Sequence, residues 1–94
     1  RVEYETISTR LQKPTSGSLG LSLARGNGAN SDEIFIRLIA EGSPAQLDGT
    51  LSPGDRLWEI NDQSLADASP LDVVELLKSA QGTVKIVVKR PKRV

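Results

Sequence analysis

The sequence predicts an α+β domain, namely a small, partly open antiparallel β-barrel or sandwich of five to six strands with two helices. Short apolar segments recur along the chain, and turns rich in Gly, Pro, Ser, Asn and Asp separate them. Two of the intervening segments begin with Ser-Pro, which is a helix-start signal. The length of 94 residues suits one domain. We therefore expect a single domain over residues 1–94, with its folded part at about 3–90 and a tail at 91–94.

Six segments carry the strand signal, because β-branched and apolar residues dominate them. The predicted strands span residues 2–11, 19–23, 34–39, 56–60, 64–65 and 83–89. The Gly- and Asn-rich residues 26–32 are predicted to form a flexible hairpin connection. The basic residues 89–93 are predicted to be a solvated tail after the last strand.

Both predicted helices have a polar cap followed by proline. The first is barely longer than a turn, from its cap at Ser43 to a stop at Gly49. The second is capped by Ser69, carries Asp72 near the favourable end of the helix dipole, and is expected to end at Gly82. Its apolar residues cover more than one stripe, so we expect one apolar edge to face something other than the sheet.

Composition and charge exclude several classes of protein. Hydrophobic content is 37% and charged content 26%, as in a soluble globular domain. Twelve basic residues balance twelve acidic ones, so no surplus of positive charge points to nucleic acid. There is no cysteine and no apolar run of membrane-spanning length, which fits a cytoplasmic protein.

The residues needed for common catalytic and metal sites are missing. The chain has no histidine and no cysteine, which removes the usual general base, the serine triad and the preferred zinc ligands. Residues 26–31 begin like a dinucleotide fingerprint but lack its third glycine and a following helix. We therefore expect no enzyme, no cofactor and no metal.

A glycine-rich stretch, Gly-Ser-Leu-Gly at 17–20, runs directly into the second predicted strand. Glycines permit backbone angles that aim successive N–H groups at one point, which makes a small concavity for an anion. The neighbouring leucines add an apolar cup, so the ligand that fits is a chain-terminal carboxylate on a hydrophobic residue. The alternative interpretation is a plain hairpin entry with core leucines, and this stretch alone does not separate the two.

The chain from about residue 3 to 90 resembles the PDZ domain family, in the metazoan strand order. The resemblance rests on these segments: Leu-Gly-Leu-Ser-Leu at 19–23, Ile-Phe-Ile at 34–36, Gly-Ser-Pro-Ala at 42–45, Leu-Ser-Pro-Gly-Asp-Arg-Leu at 51–57, Ile-Asn-Asp-Gln-Ser-Leu at 60–65, Val-Val-Glu-Leu-Leu-Lys at 73–78 and Val-Lys-Ile-Val-Val at 84–88. It implies a scaffold-type interaction module that binds carboxy-terminal peptides by strand addition.

The resemblance also implies roles for individual residues. The carboxylate-binding loop is Ser18, Leu19, Gly20 and Leu21, with the amides of the last three as donors. The pocket and pairing edge comprise Leu19, Leu21, Ser22, Leu23, Ala24, Pro70, Val74, Leu77 and Lys78. In many relatives a basic residue before the loop holds a carboxylate-bound water, and Lys13 or Arg10 suits that role. Arg25 and Arg37 are candidate contacts for acidic residues farther upstream in the ligand.

Two departures from the family pattern bear on ligand choice. Ser18 stands where the loop usually opens with Gly, and Leu21 stands where Phe is frequent, so the cup is roomier and suits a larger aliphatic or an aromatic last residue. Pro70 occupies the helix position where relatives that read Ser or Thr carry His. Because Pro70 has no side-chain donor and Val74 is near, we expect an apolar residue at the ligand's third-from-last position.

Three other residues receive structural interpretations. Trp58 is expected to be partly buried in the core rather than to serve as an exposed interaction anchor. Asp55 and Arg56 are expected to fix a turn and to pair with each other at the surface.

Membrane receptors, channels or adhesion proteins are the partners that the resemblance implies, with the domain itself monomeric. Such partners would hold it in the cytoplasm at the inner face of the plasma membrane or at cell junctions. One rival interpretation is an interaction domain for internal motifs or folded partners. Another is phosphoinositide binding, or weaker contact with membrane lipid, through Lys89, Arg90, Lys92 and Arg93.

Overall fold

A computed structural model describes residues 2–26 and 33–93 and forms one antiparallel sheet with two helices. The elements along the chain are β1 (Val2–Gln12), β2 (Leu21–Arg25), β3 (Ile34–Ile39), α1 (Pro44–Asp48), β4 (Arg56–Ile60), β5 (Gln63–Ser64), α2 (Pro70–Ser79) and β6 (Thr83–Arg93). The predicted fold class is confirmed. Most of the predicted hairpin connection, residues 27–32, lies outside the described residues.

The sheet has the strand order β1-β6-β4-β3-β2, and β5 pairs with β4 off this path. Both terminal strands of the order therefore have a strand neighbour on one side only. β1 pairs with β6 over its whole length, and β2 pairs with β3 through a register shift between Ser22 and Leu23. The β2 edge is the one that faces α2.

The core is aliphatic and lies between the sheet and the two helices. Its buried members are Leu11, Leu19, Ile34, Ile36, Ala45, Leu51, Leu57, Ile60, Leu65, Val73, Val84, Ile86 and Val88. The alternation predicted for the last strand is correct, since Val84, Ile86 and Val88 are all fully buried. Burying such side chains stabilises the fold by about 1.5–3 kcal/mol each before the entropy of ordering is subtracted.

The predicted tail after the last strand is wrong. β6 continues to Arg93, and each residue from Arg90 to Arg93 has a partner in β1, as in the pair of Tyr4 with Pro91. A proline is tolerated there because β6 has no β4 partner beyond Lys89, so half of its backbone donors face no strand. Of the expected tail at 91–94, only Val94 lies outside the described residues.

The boundaries of α2 and β2 also differ from the predicted ones. α2 ends at Ser79 with an extended cap at Ala80, three residues before the expected stop at Gly82. β2 starts at Leu21 rather than at residue 19, because the chain turns through Gly20 at φ +89°. By contrast, the start and stop of α1 are as predicted, with the Ser43 cap and a left-handed Gly49.

The predicted pairing of Asp55 with Arg56 is wrong. Asp55 is buried and accepts two hydrogen bonds from Arg90, Nε to Oδ1 at 2.7 Å and Nη2 to Oδ2 at 2.8 Å. Arg56 instead pairs with Glu33 at 2.9 Å. Alternation explains why the two residues have different partners. Asp55 and Arg56 are adjacent in an extended chain, so their side chains point to opposite faces.

Trp58 does not enter the core. It is 39% exposed on the sheet surface, with the Arg56 guanidinium 4.9 Å and the Lys89 ammonium 5.1 Å from its ring centroid. Alternation accounts for this, because Trp58 follows the buried Leu57 in β4 and therefore points to the opposite face of the sheet. The face of the indole ring therefore makes cation–π contacts with Arg56 and Lys89.

Candidate functional site

A groove runs between the open edge of β2 and the face of α2, and it encloses a cavity of about 610 Å³. This volume is in the range typical of ligand pockets, roughly 300–1,000 Å³. The β2–α2 groove is lined by Lys13, Gly17, Ser18, Leu19, Gly20, Leu21, Ser22, Leu23, Pro70, Leu71, Val74, Leu77 and Lys78.

The loop before β2 is held in place by its carbonyl groups. Leu19 O accepts from Ala45 N at 3.1 Å, and Gly20 O accepts from Ala40 N at 2.8 Å. Both donors lie at or beside the Gly-Ser-Pro-Ala segment at 42–45, which also starts α1. That segment therefore ties the loop to the fold through backbone bonds that do not depend on the loop's side chains.

Gly20 has no room for a side chain. Its φ of +89° is unfavourable for L-residues, and a Cβ built on it overlaps the Cβ and Oγ of Ser43. Glycine is required here because the loop passes directly over the cap of α1.

Ser18 makes a local bond inside the loop. The Gly20 amide donates to Ser18 Oγ at 3.2 Å, which is at the long, weak end of the hydrogen-bond range. One of the three amides predicted to donate to a carboxylate therefore already has a side-chain acceptor. Ser18 Oγ therefore accepts the hydrogen bond that the Gly20 amide could otherwise give to a ligand oxygen.

The groove walls are apolar on both sides. Leu21 and Leu23 of β2 and Val74 and Leu77 of α2 are half-buried and line the groove, while Val73, on a neighbouring part of the helix surface, is fully buried in the core. Leu19 is 3% exposed, so it belongs to the core as well as to the groove floor. The expected second apolar edge of this helix lines the groove between α2 and β2.

Leu71 was not singled out from the sequence. It is 66% exposed and lines the groove at the start of α2. Helical spacing could have predicted its place in the groove, because Leu71 and Val74 are three residues apart and therefore share a face of the helix.

The start of α2 is fixed by a capping box. The Asp72 amide donates to Ser69 Oγ at 3.1 Å, and the Ser69 amide donates to Asp72 Oδ2 at 3.0 Å. The bond from the Ser69 backbone, followed by its side chain, lowers the pKa of Asp72 below its ordinary value. Pro70 follows the cap and so occupies a set position in the groove wall.

The basic residues singled out from the sequence are in different places. Lys13 lines the groove, where its ammonium donates to Leu77 O at 2.7 Å and to Lys78 O at 2.5 Å. Arg10 lies beside Lys85 in a separate cavity, so it does not share the groove with Lys13. Arg37 donates to Ser22 Oγ at 3.0 Å across β2 and β3.

Four of the predicted site residues do not line the groove, namely Arg10, Ala24, Arg25 and Arg37. The remaining ones do, and the structure adds Gly17 and Leu71 to them. Ala24 and Arg25 form the end of β2 and pair with Phe35 and Ile34, beyond the enclosed part of the groove.

Within residues 2–26 and 33–93, no cluster of three or more potential metal ligands occurs. No helix in the same ranges has the length and apolar character to cross a membrane.

An edge strand that faces a helix across an apolar groove is an architecture found in protein interaction domains. The PDZ domain family model matches residues 8–89. The chain belongs to the PDZ domain family. It is thus a protein–protein interaction module of the scaffold type, and the domain family is not catalytic.

Relatives from several proteins match most of the chain. It is 38% identical over 92 residues to "Tyrosine-protein phosphatase non-receptor type 13" of Homo sapiens, a match that covers 96% of this chain and 4% of that protein. It is 37% identical to "Multiple PDZ domain protein" of Rattus norvegicus, covering 88% of this chain and 5% of that protein. It is 39% identical to "Protein lin-7 homolog B" of Bos taurus, covering 85% of this chain and 39% of that protein. The chain therefore spans a small part of the relatives it matches.

Proposed function

We propose that this domain binds the carboxy-terminal peptide of partner proteins as an added strand between β2 and α2. The observation that carries the proposal is the position of β2 at the end of the strand order, with its free edge along an apolar groove. Backbone pairing along β2 supplies affinity that depends little on sequence, and the side-chain pockets of the groove supply selectivity.

The end of the peptide is captured by the loop at Ser18, Leu19, Gly20 and Leu21. Its backbone is held by α1 and β3 before any ligand arrives, so little ordering entropy is lost on binding. A carboxylate attracts backbone amides more strongly than a neutral carbonyl does. The weak bond from Gly20 N to Ser18 Oγ exchanges for one to the carboxylate.

Selectivity comes from two positions of the ligand. Leu21, Leu23 and Leu77 surround the last side chain, which we propose is a larger aliphatic or an aromatic one. Pro70 and Val74 face the third-from-last side chain, which we propose is apolar, because neither offers a hydrogen bond to a hydroxyl. Lys78 lines the same groove.

The upstream part of the ligand passes the end of β2. Arg25 is exposed there, and Arg37 reaches Ser22 from β3. We propose that these two cations favour acidic residues upstream of the pocketed ones.

The partners we propose are membrane receptors, channels or adhesion proteins, met by a monomeric domain in the cytoplasm at the plasma membrane or at cell junctions. Phosphoinositide binding by the basic C-terminal strand has less support. Arg90 is engaged by Asp55 and by Thr50 O, so it is not available to a lipid headgroup.

The test is binding to a panel of free-acid octapeptides with amidated copies as controls. We expect peptides that end in Leu, Val or Phe to bind and amidation to abolish binding. Equal binding of amidated copies would indicate an internal-motif binder and would overturn carboxylate capture. Anionic vesicles containing phosphoinositide serve as the comparison for the lipid alternative.

A further inference from the structure

The end of α2 lacks the usual glycine cap. Its capping residue, Ala80, is extended at φ −66° and ψ 143°, whereas α1 ends on a left-handed Gly49. The last carbonyls of a helix have no partner within the helix and need another donor. At the end of α2, Lys13 supplies that donor to Leu77 O and Lys78 O.

Lys13 also belongs to the segment that leads into the carboxylate-binding loop. Its backbone amide donates to Gly82 O at 2.8 Å, and the loop begins only a few residues later at Ser18. The side chain is half-buried, and a cation at a helix C-terminus is further stabilised by the helix dipole. One side chain therefore links the segment that leads into the loop to the end of α2.

We propose that Lys13 is a positioning residue that holds the last turn of α2 at a fixed distance from the carboxylate-binding loop, and so sets the size of the pocket for the ligand's last side chain. Leu77, which lines that pocket, is in the turn that Lys13 holds. This inference rests on the proposed peptide-binding function. It differs from a role in holding the carboxylate or its water, because it is carried by the bonds from the ammonium to two backbone carbonyls of α2 and by no bond to the ligand.

Lys78 provides a matched control for charge. Its side chain is exposed and lines the same cavity, and it contributes only its backbone carbonyl to the contact with Lys13. Lys13→Met and Lys78→Met therefore remove the same charge from the same groove, but only the first removes the bonds to α2. Lys13→Arg keeps both a charge and donors that reach carbonyl oxygens.

The first measurement is amide hydrogen exchange in the ligand-free variants. We expect Lys13→Met to accelerate exchange in the last turn of α2 by about tenfold, the factor that corresponds to ~1.4 kcal/mol. Lys13→Arg should restore most of the protection, and Lys78→Met should leave it unchanged. If Lys13→Met does not fold, Lys13→Gln gives the same comparison with a shorter, neutral side chain.

The second measurement is the affinity for free-acid peptides that differ only in a last residue of Leu or Ala. We expect Lys13→Met to weaken binding of the Leu peptide about fivefold, or ~1 kcal/mol, and to reduce the Leu-to-Ala affinity ratio. A general loss of stability would not change that ratio. Equal effects of Lys13→Met and Lys78→Met, with the ratio and the exchange unchanged, would overturn the inference and leave charge alone as the cause.

Failure of the proposed function would look different. If the wild-type domain bound none of the free-acid peptides, the peptide-binding function and the role of Lys13 in it would both be rejected. The exchange data would still report whether Lys13 holds the end of α2.

Discussion

Gly20 lies where the loop proposed to bind the carboxylate crosses the side chain of Ser43. Its carbonyl is bonded to Ala40 N, and a Cβ at this position overlaps Ser43. The loop conformation therefore depends on the absence of a single methyl group.

We predict that Gly20→Ala destabilises the domain and abolishes peptide binding. The positive φ costs about 1–2 kcal/mol and the overlap about 1–3 kcal/mol more. Gly54→Ala is the matched control, because Gly54 also has a positive φ, of +96°, but has nothing within 4 Å of its Cβ position. Urea unfolding and peptide titration give both effects. Wild-type affinity in Gly20→Ala would contradict the loop assignment.

Arg90 and Asp55 form the one ion pair of the described residues that has a buried carboxylate. The side chain of Asp55 is 2% exposed and that of Arg90 is 30% exposed. Arg90 also donates to Thr50 O, and Asp55 accepts from Ser52 N at 2.9 Å. The hydrogen bond to Asp55 raises the pKa of Arg90 above its ordinary value.

We predict that Arg90→Ala lowers the free energy of unfolding by about 3 kcal/mol, because it leaves a buried carboxylate without its counter-ion. Arg56→Ala is the control, since the side chain of Arg56 is also 30% exposed but its partner Glu33 is 26% exposed. Its cost should stay near 1 kcal/mol. The urea midpoints of the two variants measure both losses of stability. Similar losses would show that burial of the carboxylate does not matter.

At the scale of the element, α2 contacts the core with one part of its surface and the groove with the adjoining part. Val73 packs in the core, while Leu71, Val74 and Leu77 line the groove. The capping box at Ser69 and the bonds from Lys13 fix the helix at its two ends. Pro70, at the first position of the helix, is therefore held in the groove wall. Its side chain has no hydrogen-bond donor for a ligand.

We predict that Pro70→His shifts ligand preference toward Ser or Thr at the third-from-last position. A ring nitrogen supplies the missing hydrogen bond, which is worth a factor of roughly five in the Thr-to-Val affinity ratio. Pro70→Ala controls for the loss of proline and should leave the ratio near that of the wild type. An unchanged ratio in Pro70→His would place this helix position outside the contact with that ligand residue.

At the scale of the molecule, positive and negative charges balance at twelve each, yet several carboxylates are specifically stabilised. Hydrogen bonds from Thr50 and then Thr9 lower the pKa of Asp48. A hydrogen bond from Lys85 lowers the pKa of Asp62, and the bond from the Ser69 backbone does the same for Asp72. These three groups make the pH dependence of the whole fold predictable in sign.

We predict that these three carboxyls make the fold less stable in acid. A carboxyl whose pKa is lower in the folded state stabilises the fold above its unfolded pKa, here near 3.8, and that contribution disappears as the pH falls through the folded value. The urea midpoint should be level between about pH 5 and 7 and should fall below about pH 4. The triple variant Asp48→Asn, Asp62→Asn, Asp72→Asn should weaken the acid slope. A midpoint that rises on acidification would contradict the assignment.

The sequence by itself determined the fold class, the helix starts and most of the groove. Cap, proline and alternation signals are local, so Ser43, Ser69 and the buried face of β6 were all predictable. The groove residues followed from a resemblance whose motifs span the chain, and most of them do line the cavity. Leu71 was predictable from helical spacing as well.

Only the tertiary structure decided the contacts between residues that are distant in sequence. Asp55 meets Arg90 rather than its neighbour Arg56, because adjacent strand residues point to opposite faces. The chain from Arg90 onward is a strand because β1 lies beside it and supplies its partners. Lys13 donates hydrogen bonds to carbonyls 64 and 65 residues away, at the end of α2. Such contacts depend on where the chain returns to itself, and no pattern within one segment carries that information.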